Sequence, residues 1–231
     1  MTRAVLLDIE GTTTPIDFVH KILFPYSSER IDAYVRDNFN SLHAEIFALK
    51  TEHASDIGYP YDIDETSFRS IADYLRFLVE TDRKSTPLKA IQGKIWQQGY
   101  ESGELKSEVF HDVPTAFERW QREGRTVAIY SSGSVLAQKL LFKYTKYGDL
   151  TSYISHYFDT NIGGKREIQS YYNIAALLDV PPATILFLSD VTAELAAARD
   201  AGFTTTLSVR PGNGPFDNGE EWDIATSFDT L

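Results

Sequence analysis

Four short apolar and β-branched runs, at 3–7, 125–130, 184–188 and 203–209, constrain this chain's fold more than any other feature. Each reads as a continuous strand rather than an alternating one, which suits a strand covered on both faces. Helical patterns at 135–142, 167–178 and 193–201 separate or follow the last three, and Gly202 closes the last of them where a helix C-cap favours glycine. Strand, helix, strand, helix in that order predicts an α/β protein with a doubly wound parallel sheet.

The first strand breaks the spacing, because over a hundred residues separate Leu7 from Arg125. The intervening stretch has helical periodicity: Phe18, Ile22 and Leu23 lead into Ile31, Tyr34 and Val35, and later Phe68, Ile71, Leu75 and Leu78 recur three and four apart. The expectation is a core domain at 1–13 and 105–231 with a helical domain inserted at 14–104. Thr12-Thr13-Thr14-Pro15 and Glu101-Ser102-Gly103 mark its edges, and two crossings there predict a hinge.

Composition narrows the partners. With 22 Lys and Arg against 33 Asp and Glu, the net charge of −11 argues against nucleic acid or an anionic membrane surface, which need clustered basic residues. Zero Cys removes disulfides, thiolate nucleophiles and cysteine-bound metals, and fits a reducing compartment. No apolar run approaches the roughly 18 residues of a membrane helix, and the run at 4–7 stops at Asp8. A cytoplasmic protein acting as a monomer on a small molecule is expected.

Polar motifs follow the strands. The first strand enters Asp8-Ile9-Glu10-Gly11-Thr12, two carboxylates on a glycine turn. The second enters Ser131-Ser132-Gly133-Ser134 ahead of a helix, either an ordinary N-cap or an anion site. Lys165, after Gly163-Gly164, opens the next helix, and Asp190 in Ser189-Asp190 either caps the helix carrying Glu194 or serves the same site. An open α/β sheet gathers ligands at the carboxyl ends of its strands, so one crevice would hold all four. Three acids suit a hard cation such as Mg²⁺ that bridges to phosphate, while hydroxyls and Lys165 neutralise the remaining phosphate oxygens. His111 reads as a helix-entry or packing residue, Tyr171-Tyr172 and Phe158 as helix burial, and Glu220-Glu221-Trp222 as a solvated turn anchored by the tryptophan.

The order Asp-x-Glu-Gly-Thr, Ser-Ser-Gly-Ser, Lys, Ser-Asp resembles the haloacid dehalogenase-like hydrolases, with Glu10 where that superfamily usually has Asp. Asp-Ile-Glu-Gly-Thr-Thr resembles its enolase-phosphatase E1 (acireductone synthase) family. So do Asp82-Arg83-Lys84, Leu88-Lys89, Gln92-Gly93, Tyr130-Ser131-Ser132-Gly133-Ser134-Val135, Leu188-Ser189-Asp190-Val191-Thr192 and Val209-Arg210-Pro211-Gly212-Asn213. The resemblance implies a Rossmann-like sheet of the dehalogenase type with a helical cap. It also implies a Mg²⁺-dependent hydrolase of methionine salvage that enolises 2,3-diketo-5-methylthiopentyl 1-phosphate and dephosphorylates it to the acireductone. Asp8, Glu10 and Lys165 would be catalytic, with Asp8 the nucleophile. Asp8, Glu10 (through its main-chain carbonyl) and Asp190 would bind metal, and Ser131, Ser132 and Lys165 substrate. Glu10, Lys84 and Lys89 are candidates for the enolisation base. Two alternatives stand beside this reading: a phosphatase of sugar or nucleotide phosphates in the same superfamily, and a non-catalytic phosphometabolite-binding protein.

Overall fold

The computed structural model describes residues 2–56, 58–215 and 222–231. The chain divides into two compact units, Met1–Val19 with Lys106–Leu231, and His20–Leu105. In chain order the elements are β1 (Ala4–Leu7), α1 (Phe24–Asn38), α2 (His43–His53), α3 (Phe68–Glu80), α4 (Thr86–Ser102), α5 (Val113–Arg122), β2 (Thr126–Tyr130), α6 (Val135–Lys143), β3 (Ile154–Phe158), α7 (Ile168–Leu178), β4 (Ile185–Ser189), α8 (Thr192–Asp200), β5 (Thr204–Ser208) and β6 (Ile224–Ala225), with short helical turns between them.

Among the described residues the strands form one sheet in the order β3-β2-β1-β4-β5-β6, every pairing parallel. β1 lies between β2 and β4, with Leu7 opposite Ile129 and Leu188. All four of its residues are buried. Side chains alternate faces along a strand, so Ala4 and Leu6 join the cluster built with Tyr171, Phe187 and Leu195, while Val5 and Leu7 serve the opposite face. Elsewhere in this unit Phe117 packs on Phe142 and Trp120 on Phe228.

Two strands of this sheet escaped the sequence pattern. β3 is an edge strand with only its end residues fully buried, so Ser155, His156 and Tyr157 broke the apolar run, and β6 spans two residues. Phe158 therefore lies in a strand, not a helix. Tyr171 is buried on α7, but its neighbour Tyr172 is 46% exposed, since adjacent helical residues point about 100° apart. Lys165 stands in the turn before α7, which starts at Ile168, and Val191 rather than Asp190 is the N-cap of α8. His111 is an exposed turn residue ahead of α5. Trp222 is buried with the Arg199 guanidinium 4.4 Å from its ring, and Glu220 and Glu221 lie outside the described residues.

In the inserted unit α1 packs against α3 and α4, and α2 against α4. Ile31, Val35, Leu49, Ile71, Leu75 and Ile91 form its fully buried centre. Ser67 and Ser85 cap α3 and α4 through their hydroxyls, and Gly103, with φ of 82°, ends α4 in the left-handed region. Ile22 belonged to the same periodic set but is 48% exposed. It sits in the π-helical turn Val19–Leu23, whose wider winding shifts the face that a 3.6-residue period assigns. Among the described residues no helix is long and apolar enough to cross a membrane.

Candidate active site

The carboxyl ends of β1, β2 and β4 open directly into Asp8, Ser131 and Asp190. Asp8 continues the ladder, its amide donating to the Leu188 carbonyl at 3.0 Å. The chain then folds tightly: the Ile9 carbonyl accepts from the Thr12, Thr13 and Thr14 amides, and the Thr13 hydroxyl donates to the Asp8 carbonyl at 3.2 Å. Gly11 makes this turn at φ of +66°, where a β-carbon would collide with an Asp190 carboxylate oxygen.

Lys165 closes the cluster. Its Nζ lies 2.6 Å from Asp8 Oδ1 and 2.7 Å from Glu194 Oε2, all three side chains being nearly buried. Three consecutive carbonyls of its loop are held by hydroxyls: Tyr130 donates to Gly163 at 2.9 Å, Ser170 to Gly164 at 2.8 Å and Tyr171 to Lys165 at 2.6 Å. Glu194 also accepts from Ser189 Oγ at 2.9 Å, and that oxygen accepts from the Val191 amide.

The cluster holds Asp8, Asp190 and Glu194 against one ammonium. Burial alone would lower the Lys165 pKa, but Asp8 and Glu194 outweigh it and hold the ammonium well above its ordinary range. Burial first, then the charges of Asp8 and Glu194, push Asp190 up to about 7. Glu194 is raised too, by burial and Asp8. The site is thus short of positive charge on the Asp190 side. Among the described residues no three His, Cys, Asp or Glu side chains stand close enough to chelate a metal by themselves. Asp8, Asp190 and the Glu10 main chain offer only oxygen donors, the chemistry that a hard divalent cation would take.

On the other flank Ser134 caps α6 by accepting from the Ala137 amide at 3.3 Å. Ser131, buried at the end of β2, accepts from the Gly133 amide at 3.1 Å, while Ser132 is exposed. Gln138 holds this loop by donating to the carbonyls of Gly133 and Phe158. Of the residues singled out in sequence, the structure brings Asp8 and Lys165 into contact and sets Asp190 against the Asp8 loop. Lys84 and Lys89 lie in the inserted unit. Sequence reasoning gave no role to Glu194 or to the hydroxyls of Tyr130, Ser170 and Tyr171. Glu194 had a signal, four residues after Asp190 and in the first turn of a helix; the hydroxyls had none.

The haloacid dehalogenase-like hydrolase family model matches residues 2–202. The enolase-phosphatase E1 of Synechococcus elongatus is 49% identical, covering 98% of this chain and 96% of its own. That of Leptospira borgpetersenii is 53% identical, covering 91% and 90%. The crystal structure of the UTR4 protein of Saccharomyces cerevisiae superposes with a TM-score of 0.83 at 36% identity, over the full length of both chains. A dehalogenase at 18% identity, with a TM-score of 0.56 over 98% of this chain and 94% of its own, shares the fold.

Proposed function

The chain belongs to the enolase-phosphatase E1 family of the haloacid dehalogenase-like hydrolases, and we propose that the Asp8–Lys165 cluster carries both halves of its reaction on 2,3-diketo-5-methylthiopentyl 1-phosphate. It is an enolase-phosphatase of methionine salvage, an acireductone synthase. The observation that carries the assignment of the site is the contact between the Asp8 carboxylate and the Lys165 ammonium at the carboxyl end of the central strand.

Asp8 attacks phosphorus in line, the phosphorus–alkoxide bond breaks, and an aspartyl-phosphate forms. Lys165 neutralises the transferring oxygens, with Ser131 and Ser132 as further contacts from the loop after β2. Glu10 gives its proton to the leaving alkoxide and then takes one from the water that hydrolyses the aspartyl-phosphate. Glu194 keeps Lys165 charged and aimed, and the three hydroxyls fix its backbone. A divalent cation, Mg²⁺ in this reading, would be held by Asp8, Asp190 and the Glu10 carbonyl and would supply charge neutralisation at the phosphate and polarisation of a substrate carbonyl. For enolisation Glu10 is the base nearest in sequence to the nucleophile, with Lys84 and Lys89 of the insert as rivals. The inserted unit takes the part of the family's cap, and the protein is read as a cytoplasmic monomer.

The test is a Mg²⁺-supplemented assay of the diketone phosphate beside sugar and nucleotide phosphates, following ultraviolet absorbance and phosphate release together. Preference for a sugar or nucleotide ester would replace the substrate while leaving the site. Absence of turnover on all of them would favour a binding protein.

A further inference from the structure

Residues 208–213 end β5 and enter the following loop, and no step above uses them. Their side chains nevertheless reach back to the turn after Asp8. Ser208 Oγ donates to the Gly11 carbonyl at 3.1 Å, Asn213 Nδ2 donates to the same carbonyl at 3.0 Å and to the Ser208 carbonyl at 3.1 Å, and Arg210 Nε donates to the Thr12 carbonyl at 3.1 Å.

Because both partners of the Asn213 amide are carbonyls, its orientation is fixed: the NH₂ faces them and Oδ1 faces away. That oxygen is buried and has no hydrogen-bond partner. A buried acceptor left unmet costs about 1–3 kcal/mol, so its surroundings should supply a donor. A methyl group placed on Gly11 would lie 3.0 Å from Asn213 Oδ1 and would collide with Asp190 Oδ2. The amide oxygen and the Asp190 carboxylate therefore border the same small space, and two acceptors there call for a donor with more than one hydrogen. A cavity of about 330 Å³ lies beside this space, lined in part by Asp190, Ser208 and Asn213.

We propose that Asn213 is a positioning residue of the cation site: Nδ2 latches the turn that follows Asp8, and Oδ1 accepts a hydrogen bond from a water carried by the cation that Asp190 holds. The proposal rests on the reading that Asp8 and Asp190 bind a divalent cation. An outer acceptor of this kind orients a bound water and strengthens metal binding without touching the metal.

Mn²⁺ binding to the substrate-free protein, followed by electron paramagnetic resonance and water-proton relaxation, tests it against Ser208→Ala, which removes one latch bond and keeps the acceptor. Asn213→Ala should weaken Mn²⁺ binding roughly tenfold or more and alter the relaxation of the bound ion. Ser208→Ala should stay within about fivefold, the factor that matches a single neutral hydrogen bond. Asn213→Ser, which can still donate to one carbonyl, should behave like Asn213→Ala and guards against a folding defect in either variant. Equal effects of Ser208→Ala and Asn213→Ala would reduce Asn213 to a latch and overturn the proposal. Unchanged affinity in both Asn213 variants, with binding lost in Asp190→Asn, would overturn it while sparing the cation reading. Wild-type affinity in Asp190→Asn would overturn both.

Discussion

Lys165 Nζ meets Asp8 Oδ1 at 2.6 Å across 157 positions of sequence, and it meets Glu194 on its other side at 2.7 Å. One ammonium therefore restrains the proposed nucleophile while being held by an acid from the first turn of α8. The ion pair holds Asp8 in place at a buried position where a lone carboxylate would be costly.

Replacing Asp8 by Asn keeps the shape of the group and removes its nucleophilic charge. Phosphate release should fall by at least about a thousandfold. If a different group performs enolisation, the enol phosphate should still form and accumulate, visible by stopped-flow absorbance without matching phosphate. Loss of both signals in a folded protein that still binds substrate would mean that Asp8 serves both steps.

Lys165→Met would leave Asp8, Asp190 and Glu194 crowded with no cation among them. Stability at neutral pH should drop by about 3–5 kcal/mol, the usual cost of breaking a buried pair, and turnover by roughly a hundredfold or more through lost charge stabilisation. Urea denaturation and phosphate release measure the two effects separately. A variant as stable as the parent would show that Asp8 and Glu194 do not depend on the ammonium.

Gly11→Ala places a methyl group against the Asp190 carboxylate and forces a side chain into the left-handed region at φ of +66°. The backbone strain alone costs about 1–2 kcal/mol. Displacement of Asp190 should also weaken divalent-cation binding. Calorimetric titration with Mg²⁺ and a thermal melt should both register the change, and unaltered Mg²⁺ affinity would mean that Asp190 is not a ligand.

The buried pair of Asp112 and Arg210 offers a pH test away from the cluster. Burial by itself would raise the Asp112 carboxyl, but the Phe228 amide and the Arg210 guanidinium, 2.8 Å away, outweigh it and hold the pKa below the usual carboxylate range. A depressed folded pKa contributes stability that is present above the unfolded value, about 3.9 for Asp, and is lost as pH falls through the folded value. Asp112→Asn should therefore be destabilised by about 3–5 kcal/mol at pH 7, and the gap to wild type should close as the pH is lowered below about 4. Urea midpoints at several pH values check this, and a gap independent of pH would assign the effect to packing.

What the sequence determined was local. The run Ala4–Leu7 demanded burial on both faces, the periodicity of Phe68, Ile71, Leu75 and Leu78 demanded a helix, and Asp8, Ser131 and Asp190 were legible as groups at strand ends because they interrupt apolar runs. The edge strand Ile154–Phe158 was not legible, because half-covered residues need no apolar run and its pairing with β2 is a tertiary fact. Tertiary structure alone brought Glu194 to Lys165, Arg210 to Asp112 and Asn213 to the Gly11 carbonyl. These contacts depend on the strand order β3-β2-β1-β4-β5, which sets residues over 90 positions apart side by side in the last two pairs. Periodicity records which face of an element is covered, and it carries no information on which distant side chain will meet a charge once that face is packed.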